Sequence, residues 1–295
     1  MAVKQKKERR FDPVMLILGI ILLIHTVSFL VPLGWSIITS LKDEIEFKVN
    51  LFGLPEEWLF SNYPTVLSKF FVKVESGLAF REVYVAEMLF NSIMYAVGCA
   101  LVQTTTQYVM AYISSRFRYK FGAIIYGIVL FALAFPLVGG NAAGMALAIK
   151  LHLRDRFLGI YLMKAYFLGM YFLVFYAQLR AFPKDFDEAA EIDGASKFTV
   201  MWKIIFPMTA TTFFTIALLL FIAYWNDYTT PMLYMPNKPT LSYGLYLFSK
   251  TNDSGISNTP TQLAACVMLM VPVLVLFMIF HKRLIGNVSL GGLKE

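Results

Sequence analysis

Charge is what this sequence has least of. Only 15% of its 295 residues are Asp, Glu, Lys or Arg, while 58% are apolar and the mean hydropathy is +0.63. A soluble globule keeps roughly a quarter of its residues charged, so an ordinary soluble domain is excluded and a lipid bilayer is the natural solvent. Cysteine is almost absent as well. Cys99 and Cys266 each stand in an apolar stretch with no metal-like spacing beside them, so both read as small apolar helix residues and disulfide or zinc frameworks are excluded. The three histidines, at 25, 152 and 281, are too scattered for a metal cluster. Also missing are the phosphate-cradling G-x-x-x-x-G-K-[ST], the dinucleotide fingerprint G-x-G-x-x-G and H-E-x-x-H. With no catalytic constellation and no energy source of its own, the chain must draw any uphill work from an ion gradient or from ATP hydrolysed on another chain.

Long apolar runs are abundant. A hydrocarbon core of ~30 Å needs ~20 mostly apolar helical residues, because only an element that satisfies its own backbone hydrogen bonds can cross. Six stretches meet this, at 14–39, 88–114, 121–149, 157–179, 204–230 and 262–281. Five have no charge in their apolar centres, with Asp227 at the end of the fifth, and the fourth carries Lys164, which is expected to snorkel to the outer surface. Charge this sparse argues against ion coupling, and so against a secondary transporter. Pro136 and GGNAAG at 139–144 point to a break or bend in the third run. The basic N-terminus ahead of an apolar run looks like a secretory signal, but the run is 26 residues long and lacks an A-x-A-like end, so an uncleaved first span is expected. His25, alone in that span, reads as a helix-interface hydrogen-bonding residue.

Orientation follows from the basic residues. The two tails, the connector SSRFRYKFG and the loop 180–203 hold 15 of the 26 Lys and Arg. The positive-inside rule then puts both termini in the cytoplasm, as tails 1–13 and 282–295, and places 40–87, 150–156 and 231–261 outside. The net charge of +7 is thus a topology signal and requires no nucleic acid.

Between the fourth and fifth runs lies EAAEIDGASKFTVMWKIIFP, residues 188–207. A short helix is expected over Phe186–Ile192, with Pro183 near its start and Asp185, Asp187 and Glu188 at its positive end. Asp193-Gly194 should stop it, since glycine accepts the left-handed conformation that ends helices. Ser196 should cap a second helix running through Val200, Trp202 and Ile205 toward Pro207. Ala189, Ala190 and Ala195 give this helix–turn–helix a low-relief surface suited to another protein's groove. An amphipathic connector on the inner headgroups is the plainer alternative.

The pattern E-A-A-x-x-D-G-A-S, followed by Ile204 and Pro207, resembles the EAA loop of permease subunits of ATP-binding-cassette importers. LRAFPKDFDEAAEIDGAS at 179–196, FNS at 90–92, WNDYTTP at 225–231, LFGLP and NYPTVL within 51–67, and the ending VSLGGLKE are similar to the carbohydrate-type, maltose-permease-like branch. Phe206 stands where that branch usually has Leu, and GGNAAGMALAIKLHLRDRFLGIYL departs from its common members. The resemblance implies an all-α membrane protein with the type I ABC importer permease fold, six transmembrane helices and both termini cytoplasmic, a single domain over 1–295 in a bacterial cytoplasmic membrane. It implies half of a solute path, completed by a second permease subunit, usually a different chain. Its further partners would be two cytosolic ATPase subunits carrying the ATP and magnesium, and an external solute-binding protein delivering the sugar; the chain itself would hold no cofactor. The loop 180–206 would be the coupling element, with Glu188 making a polar contact, Ala189 and Ala190 packing closely and Gly194 forming the turn, beside Asp193, Ala195 and Pro207. A non-sugar solute stays open, since other importers share the EAA loop.

Sugars are bound by aromatic faces and by hydrogen bonds to hydroxyls. Gln103 and Gln107 share a helix face at i, i+4, with Thr104, Thr105 and Thr106 nearby, and Tyr224, Trp225 and Asn226 lie near the outer end of the fifth run. These five are the candidates for the solute path. The competing account makes them helix glue and an interfacial belt. Asn91 and Ser92 read as structural. The outer segment 40–87, with its apolar-periodic YPTVLSKFF, reads either as a dock for the binding protein or as an interfacial helix.

Overall fold

Long uncharged runs become long helices. The computed structural model describes residues 13–76, 79–117, 120–135, 140–183, 185–248 and 258–288; the tail before 13, Pro136 and the segment beyond 288 lie outside these. Among the described residues four helices are long and apolar enough to cross a membrane. They are α1 (Pro13–Thr39), α4 (Val85–Arg116), the continuous helix Lys197–Asn226, and α14 (Thr259–Val288). The most apolar window of α4 is 44% buried, as is that of Lys197–Asn226, against 0% for α1; the first two are therefore the core helices and α1 offers its flanks to lipid or to a partner.

Two of the expected spans are not single helices. The third run divides into α5 (Lys120–Ala134) and α6 (Gly140–Lys150). The fourth, expected as one helix over 157–179, is α7 (Phe157–Lys164) and α8 (Met170–Ala181), parted by non-helical residues 165–169. Gly169 caps α8 in an extended conformation, and a Cβ built there would stand 2.8 Å from Nε2 of Gln107. A larger residue there would have to displace the end of the Gln107 side chain. The fifth run stops at Asn226, where Asp227 turns the chain and its Oδ1 accepts the Thr230 amide at 3.0 Å, starting α12 (Thr229–Tyr234).

A second departure is a hairpin within the segment 40–87. Strands β1 (Phe71–Ser76) and β2 (Ala79–Tyr84) pair antiparallel, with Phe71 opposite Tyr84, so the chain is mostly helical rather than all-α. Val72, Val74 and Val83 are buried while Lys73, Glu75 and Glu82 are exposed, the period-two alternation of a half-buried sheet. The short helices α2 (Glu44–Val49) and α3 (Asn62–Lys69) precede it, and α13 (Leu241–Phe248) meets it through Phe70 edge-on to Phe248 at 5.2 Å.

The chain divides into two compact units, 1–66 with 256–268, and 67–255 with 269–295. In the first, Trp35 donates to the Leu51 carbonyl at 2.9 Å and the buried Lys42 ammonium to the Asn50 carbonyl at 2.5 Å. The second is built around α4. Tyr108, fully buried, meets the edges or faces of Phe175, Trp202, Phe206 and Phe213 at 5.3–6.1 Å, and its hydroxyl shares a 3.0 Å hydrogen bond with Thr209. Aromatic pairs of this geometry add about 0.5–1.5 kcal/mol each beyond the area they bury. Asn91 donates to the Pro239 carbonyl at 3.1 Å, and the Ser92 hydroxyl accepts the Leu241 amide at 2.8 Å, so both pin α4 to the start of α13.

Candidate functional site

Two polar regions stand out within the second unit, one at the α7–α8 break and one at the segment between α8 and α11 (Phe206–Asn226). At the break, α4 supplies the amides. Gln103 and Gln107 are 4% and 0% exposed, and the Tyr224 hydroxyl of α11 donates to the Gln103 carbonyl oxygen. Neither amide atom of Gln107 has a hydrogen-bond partner among the described residues, although the group is fully buried and lies against Gly169. A buried amide left in this way costs about 1–3 kcal/mol, and it holds two donors and an acceptor in reserve. Lys164, at the lip of the break, places its ammonium 3.4 Å from the Thr230 hydroxyl and 5.1 Å from the Tyr224 ring centre.

Of the five sequence candidates, the structure brings together Gln103, Gln107 and Tyr224. Trp225 is buried in packing, stacked on Phe221 at 5.5 Å and donating to the Leu269 carbonyl at 3.0 Å. Asn226 is exposed and bonds back to the Ile222 carbonyl at 2.9 Å within its own helix. Lys164 and Gly169 were not expected at this place. The lone charge in the fourth run was the signal for Lys164, but its side chain turns to Tyr224 and Thr230.

The second region is the cassette. Helix α9 (Asp185–Ile192) opens on Asp185, Asp187 and Glu188, which favour its positive N-terminal end. It closes with Gly194 at φ +77° and with the Ala195 amide donating to the Ala190 carbonyl at 2.9 Å, the 6→1 bond of a Schellman ending. Ser196 then caps α10 (Lys197–Thr199) through the Thr199 amide at 3.2 Å. A π-wound stretch, Val200–Ile205, joins α10 to α11, its signature the Phe206 amide reaching back five residues to the Met201 carbonyl. Pro207 follows the π-wound stretch directly, inside the continuous helix Lys197–Asn226, so its missing N–H falls where the backbone bonding already changes from π to α.

Exposure sorts the cassette residues. Glu188, Ala189, Asp193, Gly194 and Pro207 are exposed, Ala195 is half-buried, and Ala190 is buried in the chain's own core. Ile192 and Phe198 present 86% and 70% of their surfaces, an apolar pair beside the turn that sequence reading did not single out. Behind the turn stands Arg116, the last residue of α4. Its Nη1 donates to the Phe182 carbonyl at 2.9 Å, its Nη2 to that of Pro183 at 3.3 Å, and its Nε is 3.3 Å from Asp187 Oδ2. The Arg116 side chain is 3% exposed, so this clamp is shielded from solvent.

Several long apolar helices mark a multi-pass membrane protein, and the family and relatives it matches are permease subunits, transporter components rather than enzymes. The chain belongs to the family of binding-protein-dependent transport system inner membrane components, whose model matches residues 107–289. It is 26% identical over 279 residues to the diacetylchitobiose uptake system permease protein NgcG of Streptomyces coelicolor, covering 92% of this chain and 86% of that one. It is 27% identical over 291 residues to the trehalose/maltose transport system permease protein MalG of Thermococcus litoralis, covering 98% and 99%. Its fold is similar to a solved chain of a bacterial ABC transporter involved in the import of the acidic polysaccharide alginate, with a TM-score of 0.75 at 21% identity, covering 96% of this chain and 99% of that one.

Proposed function

We propose that this chain is the permease subunit of an ATP-driven, binding-protein-dependent importer of saccharides in a bacterial cytoplasmic membrane. It spans the bilayer six times with both termini in the cytoplasm, forms half of the solute path, and a second permease chain supplies the other half. Two cytosolic ATPase subunits hold the ATP and magnesium, and an external solute-binding protein delivers the sugar. The observation that carries the saccharide assignment is similarity along nearly the whole chain to permeases named for diacetylchitobiose and for trehalose and maltose. The solute passes the α7–α8 break, where Gln103, Gln107 and Tyr224 offer amide hydrogen bonds and an aromatic face.

The cassette is the grip of the ATPase. Glu188 and Ala189 meet its cleft, Ile192 and Phe198 add apolar contact, Ala190 ties the helix to this chain's core, and Gly194 sets the turn. Asp193, Ala195 and Pro207 hold its outline. When ATP draws the ATPase subunits together, this helix moves with them, and the rigid attachment at Arg116 carries the displacement into α4. Glu188→Lys and Gly194→Pro test the assignment in the reconstituted importer. Both variants should insert and assemble while uptake no longer follows ATP hydrolysis. Full uptake with normal stimulation of the ATPase in either variant would sink it.

A further inference from the structure

Lys164 ends α7 and lays its ammonium across the break toward α11 and α12. Among the described residues no carboxylate lies within ion-pair distance of it. Asp227, on the neighbouring turn, forms no ion pair with it: its Oδ2 accepts the Tyr95 hydroxyl at 2.8 Å and its Oδ1 the Thr230 amide at 3.0 Å. What Lys164 does touch is one hydroxyl at 3.4 Å and one ring face at 5.1 Å. These steady a cation without neutralising it, and they leave donors of the three on an ammonium unused.

Position makes this costly. A charge within a membrane helix bundle is retained where an opposite charge or a water-lined path meets it. Snorkelling to the outer headgroups, the expectation from sequence, needs a side chain extended toward water; this one is half-buried against Tyr224 and Thr230. A path for neutral sugars needs aromatic faces and amides, which Tyr224, Gln103 and Gln107 already offer. A fixed positive charge adds selectivity only if the solute brings a negative one. We propose that Lys164 meets an anionic substituent of the transported saccharide, a carboxylate, sulfate or sulfonate, as it passes the break between α7 and α8. This rests on the saccharide assignment above and narrows it to acidic saccharides.

The intact importer provides the test, in two arms. In the first, the partner solute-binding protein is titrated with a neutral disaccharide, galactobiose, its uronate counterpart, digalacturonate, and a sulfated galactobiose. Binding of at least one acidic member is expected. Binding of the neutral sugar alone overturns the role of Lys164 and leaves the saccharide assignment standing, whereas binding of no saccharide removes both. In the second, uptake of the bound acidic saccharide is followed in proteoliposomes. Lys164→Gln should slow it about tenfold, the worth of one lost charge-assisted contact, and Lys164→Arg should hold it within roughly threefold, since the charge is kept. Unchanged uptake in Lys164→Gln, or a loss that Lys164→Arg does not restore, overturns the proposal. Should Lys164→Gln fail to assemble with its partner chains, Lys164→Met takes its place, and the binding arm decides independently of either variant.

Discussion

Gln107 and Arg116 are side chains of the same helix, nine positions apart and both buried, yet they differ in how many of their polar atoms are bonded. Arg116 bonds two backbone carbonyls just before α9 through Nη1 and Nη2, and its Nε, without a hydrogen bond, stands 3.3 Å from the Asp187 carboxylate in the first turn of α9. Gln107 keeps both amide atoms unpartnered among the described residues, facing the place where α7 and α8 part. The Arg116 end of α4 is tied by two backbone hydrogen bonds and an ion pair to the start of α9. The Gln107 stretch holds unused bonding capacity. Under the proposed function, α4 would join the coupling cassette to the solute path.

The comparison breaks most visibly at the clamp. Arg116→Ala leaves the Asp187 carboxylate and two carbonyls behind in a shielded site, and losing one partner of a buried pair costs about 3 kcal/mol. A large fall in the melting temperature of the detergent-solubilised complex is expected, together with ATPase activity that no longer responds to loaded binding protein. A melting temperature unchanged from wild type would show that the clamp carries no load. Gln107→Leu sharpens the contrast from the other side. Replacing an unpartnered amide by an apolar group of similar size should leave stability unchanged or raise it by about 1 kcal/mol, while saccharide uptake falls. A destabilised Gln107→Leu protein would mean that the amide serves packing. Smallest is Gly169→Ala, whose added methyl must displace the Gln107 amide by a few tenths of an ångström; a loss of roughly 1 kcal/mol with a partial fall in uptake is expected, readable as a modest shift in melting temperature.

Legibility from sequence followed the range of the forces involved. The cassette was readable because its determinants are local: acidic residues in a first turn, Gly194 at the left-handed position, Ser196 at a cap. The pairing of Gln103 with Gln107 was readable from helical spacing alone. The α7–α8 break was not, because no proline marks it and the charge at Lys164, where α7 ends, reads as a snorkelling residue rather than as a helix end. The packing of Trp225 was out of reach for a similar reason. An indole near a span's end reads as a surface for sugar or headgroup, and only the fold brings the Leu269 carbonyl to it. The hairpin had a local signal in one strand only, the alternation in FVKVES, which the stronger helical pattern of YPTVLSKFF overshadowed. Arg116 counted in the sequence only as one more basic residue marking the cytoplasmic side; its role depends on carbonyls delivered by a different helix.

The π-wound stretch Val200–Ile205 stands between the turn at Gly194 and the helix that carries Tyr224. Each residue of α-helix accounts for about 100° of rotation and 1.5 Å of rise, so taking up or releasing the extra residue stored in such a stretch re-phases everything beyond it by about that angle. Under the proposed function, a push on the cassette would reach Tyr224 as a twist as well as a lift. The helix would then act as a screw with one adjustable thread, set at the end where the ATPase would hold it.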